Sequence, residues 1–280
     1  MMKKILIPVD FSSASRKAVT VGVALARQLD AKLILAHMLD QNVTTSSHNE
    51  IERINHNEHT SKEIAEKFKQ FCKDPAFAGF IIEPLIQNPH DFERIAHLAN
   101  DLQCDFLLMG TKGKKGSGGS LSTNNTAQAI AEVDIPVLVI KENSLQFACS
   151  KILFVNNFDT ESVSAYLRIK KIANILGSTL DHLYVNTPGT GFKSTAEVDA
   201  LLFNFFQKSG EEYPIQAIKK VHRISDYSIA DGIQSHSQLN AIDIIAIPTH
   251  AKRHPKEQLS KSISEAIAYQ AIKPVLTLHI

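Results

Sequence analysis

The chain has 280 residues, with 30 Lys and Arg against 29 Asp and Glu and 44% hydrophobic residues. That length and apolar content support one large globular domain or two ordinary ones, and a formal charge of +1 leaves no broad basic field for holding nucleic acid by its phosphates. Cys72, Cys104 and Cys149 are scattered without C-x-x-C spacing, which argues against a disulfide framework or zinc ribbon and for a reducing compartment.

After Lys3 and Lys4 the apolar run Ile5 to Val9 is too short for a signal peptide or a membrane span, so a cytoplasmic protein with no membrane partner is expected. Lys4 to Val9 reads as a buried strand. Ser12-Ser13-Ala14-Ser15 then supplies cap chemistry for a helix with Ala18, Val21, Leu25 and Leu29 on one face. Lys32 to Met38 is the second strand. A helix over residues 50–72 carries Ile64, Phe68 and Phe71 at three-to-four spacing, and Pro75 closes it before a third strand at Phe80 to Leu85. A helix at 90–102, a strand at Asp105 to Met109, a Gly-rich loop, a helix at 124–133 and a strand at Pro136 to Lys141 complete this half.

The order then repeats. Lys4-Ile5-Leu6-Ile7-Pro8-Val9-Asp10-Phe11 returns as Lys151-Ile152-Leu153-Phe154-Val155-Asn156-Asn157-Phe158 at an offset of 147, and Ile135-Pro136-Val137-Leu138 returns as Lys273-Pro274-Val275-Leu276 at 138. Nine residues are therefore lost in the middle of the second half. Two homologous domains are predicted, 1–145 and 146–280, the second with strands near 151–155, 180–185, 214–221, 243–247 and 274–279. Continuous apolar strands alternating with helices predict an α/β fold: two tandem doubly wound domains, each a five-stranded parallel sheet with helices on both faces.

Such sheets bind ligands at the carboxyl ends of strands where the strand order reverses. Asp10 follows the first strand, and the stretch from Gly110 to Thr126, rich in Gly and Ser and carrying Lys112, Lys114 and Lys115, follows the fourth and runs into a helix. A Gly-rich loop ending at a helix N-terminus presents clustered N–H groups to a phosphate. A flexible solvated loop is the alternative reading.

Val9-Asp10-Phe11-Ser12, His37, Met109-Gly110-Thr111-Lys112-Gly113 and Ile135-Pro136-Val137-Leu138-Val139 together resemble the universal stress protein family, over the whole chain as two tandem domains and more closely in the first half. The resemblance implies a Rossmann-like, adenine nucleotide alpha hydrolase-like fold. It also implies ATP, or AMP or ADP, with Mg2+, held by a loop of the form G-x2-G-x9-G-[ST]. Gly110 and Gly113 match the first two glycines, and Asp10 matches the carboxylate at the adenosine end. Pro8, Met38 and Met109 stand where the family borders the adenosine, and Lys112 fills a place often taken by His. Thr123-Asn124 stands where Gly-Ser or Gly-Thr is expected, and β-branched Thr is a poor substitute for Gly beside a phosphate. Asn124 and Asn125 offer side-chain N–H groups or a helix cap in compensation.

In the second half Asn157 replaces Asp10, Pro248 replaces Gly110, Ala251 replaces Gly113 and Lys261-Ser262 replaces Thr123-Asn124. Proline has no N–H to give a phosphate, so no nucleotide is expected there. This half is expected instead to supply the surface that a single-domain relative obtains by dimerising. Both an intrachain pseudo-dimer and a homodimer joined through the last strands stay open.

Ser117-Gly118-Gly119-Ser120 resembles the SGG loop of ATP pyrophosphatases but follows the fourth strand instead of the first, so it reads as coincidence. His48, His56 and His59 lie among Glu52, Glu58 and Glu63 without a complete ligand set, and His250 and His254 fare no better, so no metal site is predicted. Cys104 reads as an inert thiol, and Asp105 and Asp243 as equivalent turn or cap residues. No catalytic set is evident. The expected function is a stress-response binding module regulated by adenine nucleotide at one site in the first half, with unknown protein partners. The alternatives are an interaction protein that has lost the site and, less favoured, a slow ATP hydrolase.

Overall fold

The computed structural model describes residues 4–38, 62–80, 82–87, 93–111, 123–144, 146–249 and 273–280. The chain divides into two compact units, Met1–Asn143 and Ser144–Ile280. In the first, β1 (Lys4–Pro8), α1 (Ser13–Leu29), β2 (Lys32–Met38), α2 (62–72), β3 (Ile82–Gln87), α3 (Glu93–Asp101), β4 (Phe106–Thr111), α4 (Thr123–Glu132) and β5 (Val137–Lys141) follow in order. All pairings are parallel, in the order β3-β2-β1-β4-β5. Ile5, Leu6 and Ile7 are all fully buried, as a central strand covered on both faces requires.

α1 begins where Ser12, in extended backbone, accepts the Ser15 N–H on its hydroxyl, and it buries Ala14, Ala18, Val21, Leu25 and Leu29 along one stripe. It ends at Asp30, in left-handed backbone at φ 52°, whose N–H returns to the Ala26 carbonyl. The third strand lies two residues beyond its expected position, at Ile82–Gln87. The expected helix at 50–72 is described from residue 62 onward, and its residues 50–61 lie outside the described residues.

The second unit contains β6 (Lys151–Val155), α5 (Val163–Leu176), β7 (Thr179–Asn186), α6 (Thr195–Lys208), α7 (Pro214–Lys219), β8 (Val221–Ser225), α8 (Ile229–Leu239), β9 (Ile244–Thr249) and β10 (Val275–His279), with the parallel order β10-β9-β6-β7-β8. The strand expected at 214–221 is corrected here: Pro214–Lys219 is a helix and the strand starts at Val221. Pro214 stands in the first helical turn, where its missing N–H costs nothing, and Ile215 and Ile218 at i, i+3 carry a helical rather than an alternating pattern.

Register reproduces the repeat. Lys4 pairs with Lys32 and Lys151 with Thr179, a separation of 28 in each unit, whereas Ile5 pairs with Phe106 and Ile152 with Ile244, separations of 101 and 92. The nine missing residues thus fall after the second strand of the second unit. Asp105 and Asp243 play the same part in each, their carboxylates accepting the N–H of Lys4 at 3.1 Å and of Lys151 at 3.0 Å and so tying the start of the central strand to its neighbour.

Candidate functional site

In the first unit the strand order reverses between β1 and β4, because β1's other neighbour is β2. The carboxyl ends of these three adjacent strands carry five of the expected site residues: Pro8 at the end of β1, Asp10 just past it, Met38 at the end of β2, and Met109 with Gly110 near the end of β4. Asn124 and Asn125 lie in the first turn of α4. α4 packs on β4 and β5, and a crossover helix runs against its strands, which brings its N-terminus to the same end of the sheet. Lys112, Gly113, Lys114 and Lys115 lie outside the described residues, as do His48, His56, His59, His250, His254, Ala251 and Lys261-Ser262.

The turn after β1 is held firmly. Val9 extends the ladder by donating to Ala36 at 2.8 Å, and the chain then passes through Phe11 in left-handed backbone at φ 61°. Oδ1 of Asp10 accepts both the Ser12 N–H at 3.0 Å and the Ser12 hydroxyl at 2.5 Å, while that hydroxyl oxygen caps α1 by accepting from Ser15 at 3.3 Å. One carboxylate oxygen is therefore spent on fixing the turn to the helix. Asp10 is partly exposed, and its Oδ2 has no hydrogen-bond partner among the described residues. Ser13 of the same first turn donates to Glu142 at 2.5 Å, anchoring the helix start just beyond β5.

A bulky residue at positive φ is costly, of order 1–3 kcal/mol, and persists only where its surroundings enforce it. Here the Phe11 ring lies 4.8 Å from His37, 5.0 Å from Phe68 and 5.7 Å from Phe71. His37 Nδ1 donates to the Val9 carbonyl at 2.7 Å, which fixes the Nδ1–H form of that ring. The second unit repeats the device with Phe158 at φ 59° among Phe154, Phe205 and Phe206. The sequence contained the signal, Phe at the same step of both repeats, although its conformational meaning was not legible there.

Gly110 is needed for packing. A Cβ at this position would sit 2.1 Å from the Ala14 carbonyl oxygen and 2.9 Å from the Ser15 nitrogen, so the first turn of α1 lies directly on β4. Where Pro248 takes this place in β9, the corresponding chain opens as a 3₁₀ turn at Thr160–Ser162 and the α-helix starts only at Val163, three residues later than α1 by the repeat. Met109 is fully buried, so its side chain belongs to the core beneath this edge, and Pro8 is buried as well. Met38 is partly exposed. Thr126, in the second half of the first α4 turn, is buried with its hydroxyl unpartnered.

These residues fit an adenine nucleotide in part. One Asp10 carboxylate oxygen stays available as an acceptor at the switch point, and the N-terminus of α4 lies at the same end of the sheet, whereas the unpartnered Thr126 hydroxyl is sealed inside the unit. The glycine at 110 is required in any case by the close approach of α1. In the second unit Asn157 occupies the Asp10 position and uses Oδ1 on the Asp159 N–H, keeping the turn without the charge. Cys104 is buried, which pushes its thiol up to about 11 and makes it inert at neutral pH. Among the described residues no group of three His, Cys, Asp or Glu side chains is placed to hold a metal, and no helix is long and apolar enough to cross a membrane.

The model of the Universal stress protein family matches residues 1–141. Universal stress protein MJ0577 of Methanocaldococcus jannaschii is 27% identical over 159 residues, covering 51% of this chain and 98% of its own. A universal stress protein from Archaeoglobus fulgidus is similar in structure over 99% of this chain and 96% of its own, with a TM-score of 0.70 at 15% identity. An Arabidopsis thaliana universal stress protein family protein, solved with AMP bound, is 18% identical and covers 50% of this chain and 91% of its own, with a TM-score of 0.33.

Proposed function

Because the chain belongs to the universal stress protein family, we propose that its first unit is an adenine-nucleotide binding module that serves a stress response through protein partners. The observation that carries this reading is the Asp10 carboxylate: one oxygen is locked to the turn and the helix cap, and the other is left without a partner beside the switch point of the sheet. In this role Asp10 accepts from the ribose. The phosphates lie toward the N-terminus of α4, with Lys112, Gly113, Asn124 and Asn125 as the residues that would hold them, and Mg2+ accompanies ATP. The second unit, lacking the carboxylate and the glycine, binds none.

Among the described residues of this constellation no side chain is placed as a base for a hydrolytic water, and we expect binding without efficient turnover. Three free cysteines suit a reducing, cytoplasmic setting. Calorimetric titration of nucleotide-stripped protein with ATP and Mg2+ tests the proposal. One site per chain is expected, lost in Asp10→Ala and kept in Asn157→Ala. The absence of binding to the wild type would favour the second reading, an interaction protein without nucleotide, for which the packing role of Gly110 and Thr123 in place of Gly speak.

A further inference from the structure

In the second unit β8 is an edge strand, with β7 on one side and no strand on the other in the order β10-β9-β6-β7-β8. The Asp226 N–H donates to the Asn186 carbonyl at 3.2 Å, so the backbone groups of Ile224 and His222 also point at β7, and those of the alternate residues Arg223 and Ser225 point away from the sheet. Arg223 and Ser225 are exposed, and their N–H and C=O groups have no partner among the described residues. Such an edge is a template for a further strand unless something blunts it. In the first unit the edge strand is blunted by Pro84, exposed in β3 and without an N–H to offer. Pro84 stands opposite Leu35, and at the same step of the repeat Val221 stands opposite His182, so β8 lacks that guard. The one charge at the middle of β8, Arg223, is drawn to Asp199 of α6 at 2.6 Å and neutralised there.

The charges at the two ends of the strand select the occupant. Lys219 and Lys220 are exposed just before β8, whereas Asp226 follows its last residue and Asp231 is exposed in the first turn of α8. A second β8 laid parallel would set base against base and acid against acid, and one laid antiparallel sets each end against its opposite. We propose that β8 pairs antiparallel with β8 of a second copy of this chain, about a twofold axis at Ile224. In that register Arg223 faces Ser225 of the second copy, and the two exchange both of their outward backbone bonds on either side of the axis. Ile224 meets Ile224, His222 meets Asp226, and Lys220 lies diagonally from that same carboxylate, within reach of its long side chain.

Sedimentation equilibrium of the full chain tests the pairing. A reversible monomer–dimer equilibrium with a dissociation constant of about 10–100 µM is expected, as befits an interface of a few strand residues. Ser225→Pro removes one outward N–H and no hydrogen bond within the unit, and should raise that constant at least about tenfold. Asp226→Lys, which sets like charges across the axis, should weaken association about tenfold, and adding Lys220→Asp should restore it. An unchanged urea midpoint by tyrosine fluorescence shows that each variant keeps the second unit folded. In the wild type, amide exchange of Arg223 and Ser225 read by NMR should slow as the concentration rises through the constant. A monomer at about 200 µM would overturn the proposal and leave the edge to an extended segment of another protein. So would a dimer indifferent to Ser225→Pro, one not restored by the charge exchange, or exchange at Arg223 and Ser225 that ignores concentration.

Discussion

Alanine in place of Gly110 offers a direct test of how the first unit is assembled. The new methyl would stand 2.1 Å from the Ala14 carbonyl oxygen, 2.5 Å from its carbonyl carbon and 2.9 Å from the Ser15 nitrogen. Non-bonded contacts relax near about 3.5 Å, so the first turn of α1 has to withdraw by more than about 1 Å. The obstructing atoms are the backbone of a capped helix, tied through Ser12 to Asp10 and through Ser13 to Glu142, and cannot rotate away as a side chain would. Overpacking costs about 1–3 kcal/mol, and a rigid backbone partner puts this case at the upper end, about 3 kcal/mol. The chain has no Trp and its five Tyr residues, at 166, 184, 213, 227 and 269, all lie in the second unit. Tyrosine fluorescence therefore follows that unit alone, while far-ultraviolet circular dichroism follows both. With a urea slope of about 1–3 kcal/mol per molar, the first-unit midpoint should fall by about 1–3 M in Gly110→Ala, with the tyrosine midpoint unchanged. A dichroism midpoint within a few tenths of a molar of wild type would refute the packing argument.

Acidification should weaken the second unit. Burial pushes the folded His182 imidazole down to about 4, below the unfolded value near 6.5, so between these pH values only the unfolded chain takes the proton and stability falls as pH falls. The full effect is about 3 kcal/mol, present above pH 6.5 and lost by pH 4; the shift of His236 adds in the same direction. His182→Phe should reduce the loss in urea midpoint between pH 7 and 4.5 read by tyrosine fluorescence, and an equal loss in both proteins would refute the assignment. Asp30→Gly should stabilise the first unit by about 0.5–1 kcal/mol, since glycine relieves the left-handed backbone and removes a carboxylate from a helix C-terminus. Gly177 already holds that place after α5 at φ 65°, and an unchanged or lower dichroism midpoint would count against the reasoning.

Hydrophobic patterning was enough to place most strands, because an interior parallel strand must be apolar on both faces whatever packs on it, as Ile5 to Ile7 and Ile152 to Phe154 illustrate. It failed at 214–221. A six-residue helix offers too few turns for its period to separate from a strand's, and the Ile215 and Ile218 pair reads equally as part of an apolar run ending at Val221. The two-residue displacement of β3 has the same origin, since boundaries depend on which residues find a ladder partner, here Leu33 for Ile82.

The amino-acid sequence by itself determined the tandem repeat, the doubly wound class and the placing of Asp10 and Gly110 after the first and fourth strands, since these follow from local pattern and chain order. Only the tertiary structure decided why Gly110 is required, whereas the bond that occupies one Asp10 oxygen is local, from Ser12 two residues on. Gly110 is required because α1, nearly a hundred residues earlier in the chain, lays its backbone on β4, and Phe11 holds its left-handed backbone among Phe68 and Phe71 of α2, more than fifty residues on. Steric exclusion and hydrogen-bond satisfaction depend on partners distant in sequence, and no local pattern encodes their positions.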